Sequence, residues 1–248
     1  MIYNAQEWAR LRNAVLAVSL IAWTVILLEP RASSCCSANG AGMSWRMWMA
    51  ANPPGALAMD WALMLVAMMA PMLVAPLYHI RLSSFARRRL CSMALFVAGY
   101  GAVWMAAGVV IVAVQLAATW FMPQSYLPAT IVGFIAVVWQ ASPFKQRCLN
   151  RCHNHRPLAA FGIAADLDAL RFGLENGLWC TSSCWAAMLF PMLLAQGHFI
   201  AMIAVSVLMF CERLDPPRTP TWQWRGFGTA LRWISLRSRD AAPLTVGP

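Results

Sequence analysis

The stretch that decides the fold is residues 56–78, ALAMDWALMLVAMMAPMLVAPLY, in which Asp60 is the single charged residue. A helix of roughly 20 mostly apolar residues crosses the hydrocarbon core of a bilayer. Because no water is available there to bond free backbone groups, chains cross as helices or as closed barrels. The stretch therefore predicts a transmembrane helix.

The composition of the whole chain supports a membrane protein. Hydrophobic residues make up 60% of the 248 residues and charged residues 11%, against about 45–50% and about 25% in soluble domains. So few charges could not cover the surface of a soluble fold, which excludes a soluble cytosolic enzyme. The excess of apolar residues also excludes a disordered chain.

Five further apolar segments resemble the first. We expect an all-α, polytopic helical membrane protein with about six transmembrane helices, at residues 13–28, 56–78, 90–120, 126–142, 173–196 and 198–211. Almost nothing separates the last two segments, so they are predicted to form a tight helical hairpin. We find no internal repeat.

The charges orient this arrangement. The net charge is +10, and with six spans every cation except Arg31 and Arg46 falls on one side. Cytoplasmic loops carry the excess of Lys and Arg, so both termini are predicted to be cytoplasmic. The cations lie between apolar runs, which argues for orientation signals rather than a nucleic-acid partner.

The predicted topology divides the chain into three parts. Residues 1–12 form a cytoplasmic N-terminal segment, residues 13–214 the transmembrane domain, and residues 215–248 a cytoplasmic tail rich in Arg, Pro and Trp. Within the domain, residues 29–55 are the predicted external loop. Residues 143–172 are the predicted internal loop, ending in an interfacial amphipathic helix.

The first apolar segment has a second interpretation. Arg10 and Arg12, the apolar stretch and the small residues Ala32-Ser33-Ser34 also fit a secretory signal with a cleavage site. We favour an uncleaved anchor, because it gives an even number of spans.

The internal loop carries the densest set of metal-binding residue types. Cys148, Cys152, His153 and His155 place four soft or borderline donors within one short segment, a set that suits copper or zinc. The spacing does not match a zinc finger. The alternative is a positively charged loop in which Cys and His are incidental.

Two membrane segments add candidate sulfur ligands. Cys180 and Cys184 lie four residues apart in the fifth segment, and Met64, Met68 and Met72 recur every four residues in the second. Thiolates and thioethers select Cu(I), so the methionines would lead from the site toward the outside. Alternatively, both sets are packing residues, since Cys and Met are also ordinary core side chains.

Signatures of common catalytic sites are missing from the sequence. It has no glycine-rich phosphate loop, no GxSxG, no HExxH and no CxxCH. A binding role is therefore favoured over a catalytic one.

The combined motifs resemble an uncharacterised bacterial family described as predicted metal-binding integral membrane proteins, over roughly residues 56–214. The positions that carry the resemblance are Trp61, Met64, Ala67-Met68-Met69, Pro71, Ser142-Pro143, Lys145, Cys148-Leu149, Cys152, Pro157, Gly173, Gly177, Cys180, Cys184-Trp185, Met188, Gly197, Met202 and Glu212-Arg213. The resemblance implies a polytopic protein of the bacterial inner (plasma) membrane with a metal site. Family members tend to have a Gly and a further Cys where this chain has Ser182 and Ser183, which removes one candidate thiol.

The leading hypothesis is binding or handling of a soft metal, copper first and zinc next, by the cytoplasmic-side Cys/His cluster. It implies the lipid bilayer and a metal donor or acceptor protein as partners. Two alternatives stay open: a membrane thiol-disulfide relay through Cys148/Cys152 and Cys180/Cys184, and a non-catalytic accessory subunit of a membrane complex.

Overall fold

The computed structural model describes residues 5–28, 53–122, 125–154, 156–159, 161–194, 196–224, 226 and 228. Across these ranges the elements are helices and no strand occurs, which confirms the all-α prediction. The helices are α1 (Ala5–Leu28), α2 (Pro54–Met69), α3 (Val74–Ser83), α4 (Arg89–Phe121), α5 (Leu127–Ala141), α6 (Pro143–Cys152), α7 (Gly162–Met192) and α8 (His198–Leu214).

Three stretches of the described chain are long and apolar enough to cross a membrane: α1, the pair α2–α3 and α4. The pair α5–α6 would make a fourth, although the two helices are bent by 68° at their junction. By this measure α7 and α8 are not spans. Helix α7 packs against α4, α5, α6 and α8, and its polar side chains Asn176 and Ser183 are buried.

Two helix boundaries differ from the sequence prediction. Helix α1 begins at Ala5 rather than near residue 13. Helix α7 begins at Gly162 rather than at residue 173, so the predicted interfacial helix is instead its first turns. Arg88 holds this end of α7, donating to the carbonyl of Gly162 at 3.0 Å and to the carboxylate of Asp166 at 2.6 Å.

Close packing of α4 against α7 depends on glycines. A Cβ added at Gly173 would lie 2.2 Å from the carbonyl oxygen of Phe96, and one at Gly99 would lie 2.7 Å from that of Leu170. Small residues let helix backbones approach in this way. The contact brings the side chains of Tyr100 and Trp104 on α4 against α7.

Pro71 interrupts the α-helix within the second predicted span, as its missing N–H leads one to expect. Residues Ala70–Leu73 form a 3-10 turn between α2 and α3. Without a proline N–H, the carbonyl of Ala67 loses its helical partner, and the Ser19 hydroxyl on α1 donates to it at 2.6 Å. Pro76 lies in the first turn of α3, where no intrahelical N–H bond is lost.

Candidate metal centre

Two neighbouring thiols on α7 form the centre of the candidate site. Cys180 and Cys184 are 2% and 3% exposed, and their four-residue spacing places them on one face of the helix. The phenol of Tyr100 donates to the sulfur of Cys180 at 3.3 Å. The thiol of Cys184 donates to the carbonyl of Cys180 at 2.9 Å and interacts electrostatically with the Cys180 sulfur.

Helix α6 brings a third thiol to this pair. Ser142 caps α6, its hydroxyl accepting the backbone N–H of Lys145 at 3.2 Å, and Pro143 occupies the first turn. The buried Cys152 at the other end interacts electrostatically with Cys180 and Cys184. Residues from two distant parts of the sequence therefore meet.

Cys148 is fully buried one turn before Cys152 and interacts with it. Burial raises the pKa of both thiols, that of Cys152 to about 12. Both side chains therefore hold their protons until a metal displaces them.

The two predicted histidines are placed differently from the thiols. The Nδ1 atom of His153 faces the carbonyl of Leu149 at 2.8 Å, and its Nε2 faces the carbonyl of Arg213 at 3.2 Å. Both ring nitrogens are thus occupied, and ligation by His153 would require the ring to turn. His155 lies outside the described residues.

The methionine stripe lies in the same core as the thiols. Met64, Met68 and Met72 are all buried and belong to one continuous apolar cluster with Cys152, Cys180 and Cys184. This cluster also contains further buried methionines, Met69, Met188, Met202 and Met209. Thioether and thiol side chains therefore share one buried core, while metal binding by the methionines stays a prediction.

Two cations, one on α6 and one on α8, interact with the thiols. Lys145 is 1% exposed, and its Nζ lies 2.8 Å from the Glu212 carboxylate and 2.5 Å from the side-chain oxygen of Gln140; Gln140 also donates to Glu212. Lys145 interacts with Cys184. Arg213 on α8 interacts with Cys152, Cys180 and Tyr100.

Several buried donors around the thiols lack an acceptor within the described part of the chain. They are Trp104 Nε1, Asn176 Nδ2 and Arg213 Nη2. Trp104 interacts with Cys180, and Asn176 precedes Cys180 by one turn of α7. Buried polar groups are normally satisfied, so this group of donors is suited to an anion such as a thiolate.

The sequence predictions do not include Tyr100, Trp104 or Arg213 among the site residues. One signal for the first two was available. Phe96, Tyr100 and Trp104 recur every four residues in an apolar segment, which places them on one helix face. For Arg213, the sequence offered only the Glu-Arg pair that ends the resemblance.

The arrangement limits which metal the site can hold. Among the described residues, no group of three or more His, Cys, Asp or Glu is placed to bind a metal ion. Structural zinc is almost always held by four ligands, so zinc is not supported. Copper in the Cu(I) state accepts as few as two soft ligands, and the thiols of Cys180 and Cys184 offer two.

Comparison with known proteins agrees with this chemistry. The family model PpoB2, described as a copper chaperone, matches residues 58–236. No curated protein and no solved structure matches the chain. Since the match covers well over half of the sequence, the chain belongs to this copper chaperone family. The resemblance to a metal-related family is confirmed to that extent, and copper is favoured over zinc.

Proposed function

We propose that the protein is a copper chaperone of the bacterial inner membrane that carries Cu(I) on Cys180 and Cys184. The observation that carries this proposal is the pair of adjacent buried thiols, with the Tyr100 phenol on one sulfur. Copper is the cargo, held by soft ligands and released to an acceptor protein. Membership of a copper chaperone family supports this assignment.

Cys152 is the third ligand candidate in this proposal. It comes from α6 and interacts with both thiols of α7. A modest movement of α6 would add or withdraw its sulfur. Stepwise exchange of thiolates would hand Cu(I) to a partner, because each new Cu–S bond forms before an old one breaks.

The methionine stripe is proposed as the route between the thiols and the outer side. Met64, Met68 and Met72 are buried in the same apolar cluster as Cys152, Cys180 and Cys184. Thioethers bind Cu(I) without carrying a charge, so they can hold the ion weakly inside an apolar bundle. Asp60 begins this path near the predicted outer interface, where a carboxylate costs little.

The proposed setting is a six-span bundle with both termini in the cytoplasm. Large apolar side chains on α4 and α5 point outward, including Val109 at 72% and Phe134 at 71% exposure. Contiguous exposed apolar surface of this kind is expected against lipid. With six spans, α7 crosses among other helices, whereas α8 presents exposed apolar side chains such as Ile200 and Val207 to lipid.

The closeness of Cys180 and Cys184 also favours a second candidate, a thiol-disulfide relay. Both functions use the same sulfurs, but only the relay needs a reversible disulfide. Mass-tagging of free thiols after an oxidising challenge distinguishes the two functions. A relay loses two reactive thiols reversibly, whereas the two thiols of a dedicated copper carrier stay reduced.

The test of the proposed function is copper stoichiometry. The protein is purified in detergent without a histidine tag, loaded with a Cu(I) chelate under reducing conditions, and analysed for metal. We expect about one copper per chain, lost in the double variant Cys180→Ser/Cys184→Ser and kept in Cys91→Ser, whose thiol is exposed at the start of α4. Full copper in the double variant would refute the proposal.

A further inference from the structure

The side chain of Arg213 is the unexplained feature of the candidate centre. It ends α8 and points among the thiols, and its Nη2 is buried with no hydrogen-bond partner among the described residues. Its side chain hydrogen-bonds Cys152, and its strongest electrostatic partners are Cys152, Cys180 and Tyr100, none of which is a carboxylate. Burying a guanidinium nitrogen without an anionic partner is costly, so a function for this charge is expected.

The other buried cation is already neutralised. Lys145 forms an ion pair with Glu212 at 2.8 Å, so that pair contributes no net charge. Arg213 therefore gives the described surroundings of the thiols a net charge of about +1 when the thiols are protonated. A bound species with one negative charge would balance it.

We propose that Arg213 is the counter-cation of the bound copper, and that it selects Cu(I) on two thiolates. This inference rests on the proposed function. When Cu(I) binds, two Cu–S bonds form and the protons held by the two thiols leave to solvent, while copper stays in the +1 state. The complex then carries one negative charge, which the guanidinium of Arg213 neutralises.

The unpartnered donors point to the same charged form. Trp104 Nε1 and Asn176 Nδ2 are buried without an acceptor in the described ranges. Trp104 interacts with Cys180, and Asn176 precedes Cys180 by one turn of α7. Thiolate sulfur accepts N–H donors better than a neutral thiol does, because hydrogen bonds to ionised groups are stronger. The site is therefore built for the metal-bound state.

The charge balance also gives selectivity. A divalent ion on the same two thiolates forms a neutral complex and leaves the charge of Arg213 buried and uncompensated. Three thiolates would restore neutrality for a divalent ion, but among the described residues the third thiol, Cys152, does not form a metal-binding group with Cys180 and Cys184. Arg213 is thus a positioning residue that favours Cu(I) over Zn²⁺.

The test uses the full-length protein in detergent and three variants. Arg213→Gln removes the charge, Arg213→Lys keeps it, and Arg87→Gln removes an exposed cation elsewhere. Affinity for Cu(I) is measured by competition with a colorimetric chelator, and the thermal unfolding of the copper-free forms is followed in parallel. Zn²⁺ binding is measured on the same samples.

We expect Arg213→Gln to weaken Cu(I) binding by about tenfold to a hundredfold, the range that hydrogen bonds to a charged group are worth. Arg213→Lys recovers most of that loss and Arg87→Gln loses nothing. The copper-free Arg213→Gln variant unfolds at a temperature no lower than the original protein, because it no longer buries an uncompensated charge. The ratio of its affinities for Cu(I) and Zn²⁺ decreases.

Two outcomes overturn the inference. Unchanged Cu(I) affinity in Arg213→Gln, with Cys180→Ser/Cys184→Ser still losing copper, would refute the role of Arg213 and leave the proposed function intact. Equal losses of affinity and stability in both Arg213 variants would show a packing role instead. Absence of copper from the original protein would refute the proposed function itself.

Discussion

The phenol of Tyr100 donates a hydrogen bond to the sulfur of Cys180 at 3.3 Å, joining residues that are 80 positions apart in the chain. The contact exists because glycines let α4 and α7 approach closely. It places a fixed donor on one sulfur of the proposed copper ligands. Packing of the two longest helices and the chemistry of the site are therefore linked.

This hydrogen bond predicts the effect of Tyr100→Phe. The variant keeps the ring and loses the donor to the Cys180 sulfur, so Cu(I) affinity should fall by about threefold to tenfold. Chelator competition measures the change, with Tyr126→Phe at an exposed position as the control. Equal affinities in both variants would show that the phenol does not act on bound copper.

The glycine contact predicts a loss of stability in Gly173→Ala. The added Cβ would lie 2.2 Å from the Phe96 carbonyl oxygen, so α4 and α7 must separate, at a cost of about 1–3 kcal/mol. Gly101→Ala is the matched control, since a Cβ there meets no described atom within 4 Å. Thermal unfolding in detergent should separate the two variants, and similar midpoints would contradict the packing described above.

The two cysteines of α6 are predicted to behave differently. Cys152→Ser should weaken Cu(I) binding, because Cys152 interacts with both α7 thiols. Cys148→Ser should leave binding nearly unchanged, since Cys148 is outside the core that the other three thiols share. The single variants are compared by copper stoichiometry and chelator competition. A larger loss of Cu(I) binding in Cys148→Ser than in Cys152→Ser would instead favour a metal site in the predicted internal loop.

The buried ion pair between Lys145 and Glu212 predicts a large loss of stability in a single variant and its recovery in a double variant. Glu212→Gln leaves Lys145 charged inside the bundle without its anion and should destabilise the protein by about 3–5 kcal/mol. The double variant Lys145→Met/Glu212→Gln should recover most of the loss, because no uncompensated charge remains. Denaturation in mixed micelles checks both. An additive effect of the two substitutions would argue against the pair as a unit.

The sequence predicts the helical class and the apolar segments well, because composition and segment length respond directly to the surroundings of a helix. The break at Pro71 follows from the missing N–H. The number of spans is harder to predict. Helix α7 packs against four other helices, so its hydropathy does not show whether it lies within the membrane. The helix at the start of α7 is predicted as a separate interfacial helix, because polar and apolar residues are mixed there. Its continuity with the membrane segment at residue 173 is not predicted.

The site was predicted only in part. Cys152, Cys180, Cys184 and the methionines were found by residue type and spacing, and they do share one core. Sequence spacing could not show that His153 faces backbone carbonyls. Nor could it bring Tyr100 and Arg213 to the thiols, because those contacts depend on how α4, α7 and α8 pack.

The most direct test of the central claim is X-ray absorption at the copper edge of the protein loaded with Cu(I) under reducing conditions. We expect copper in the +1 state bound by two or three sulfur atoms, without nitrogen ligands. Coordination dominated by imidazole nitrogen would contradict it and would place copper on the histidines of the internal segment.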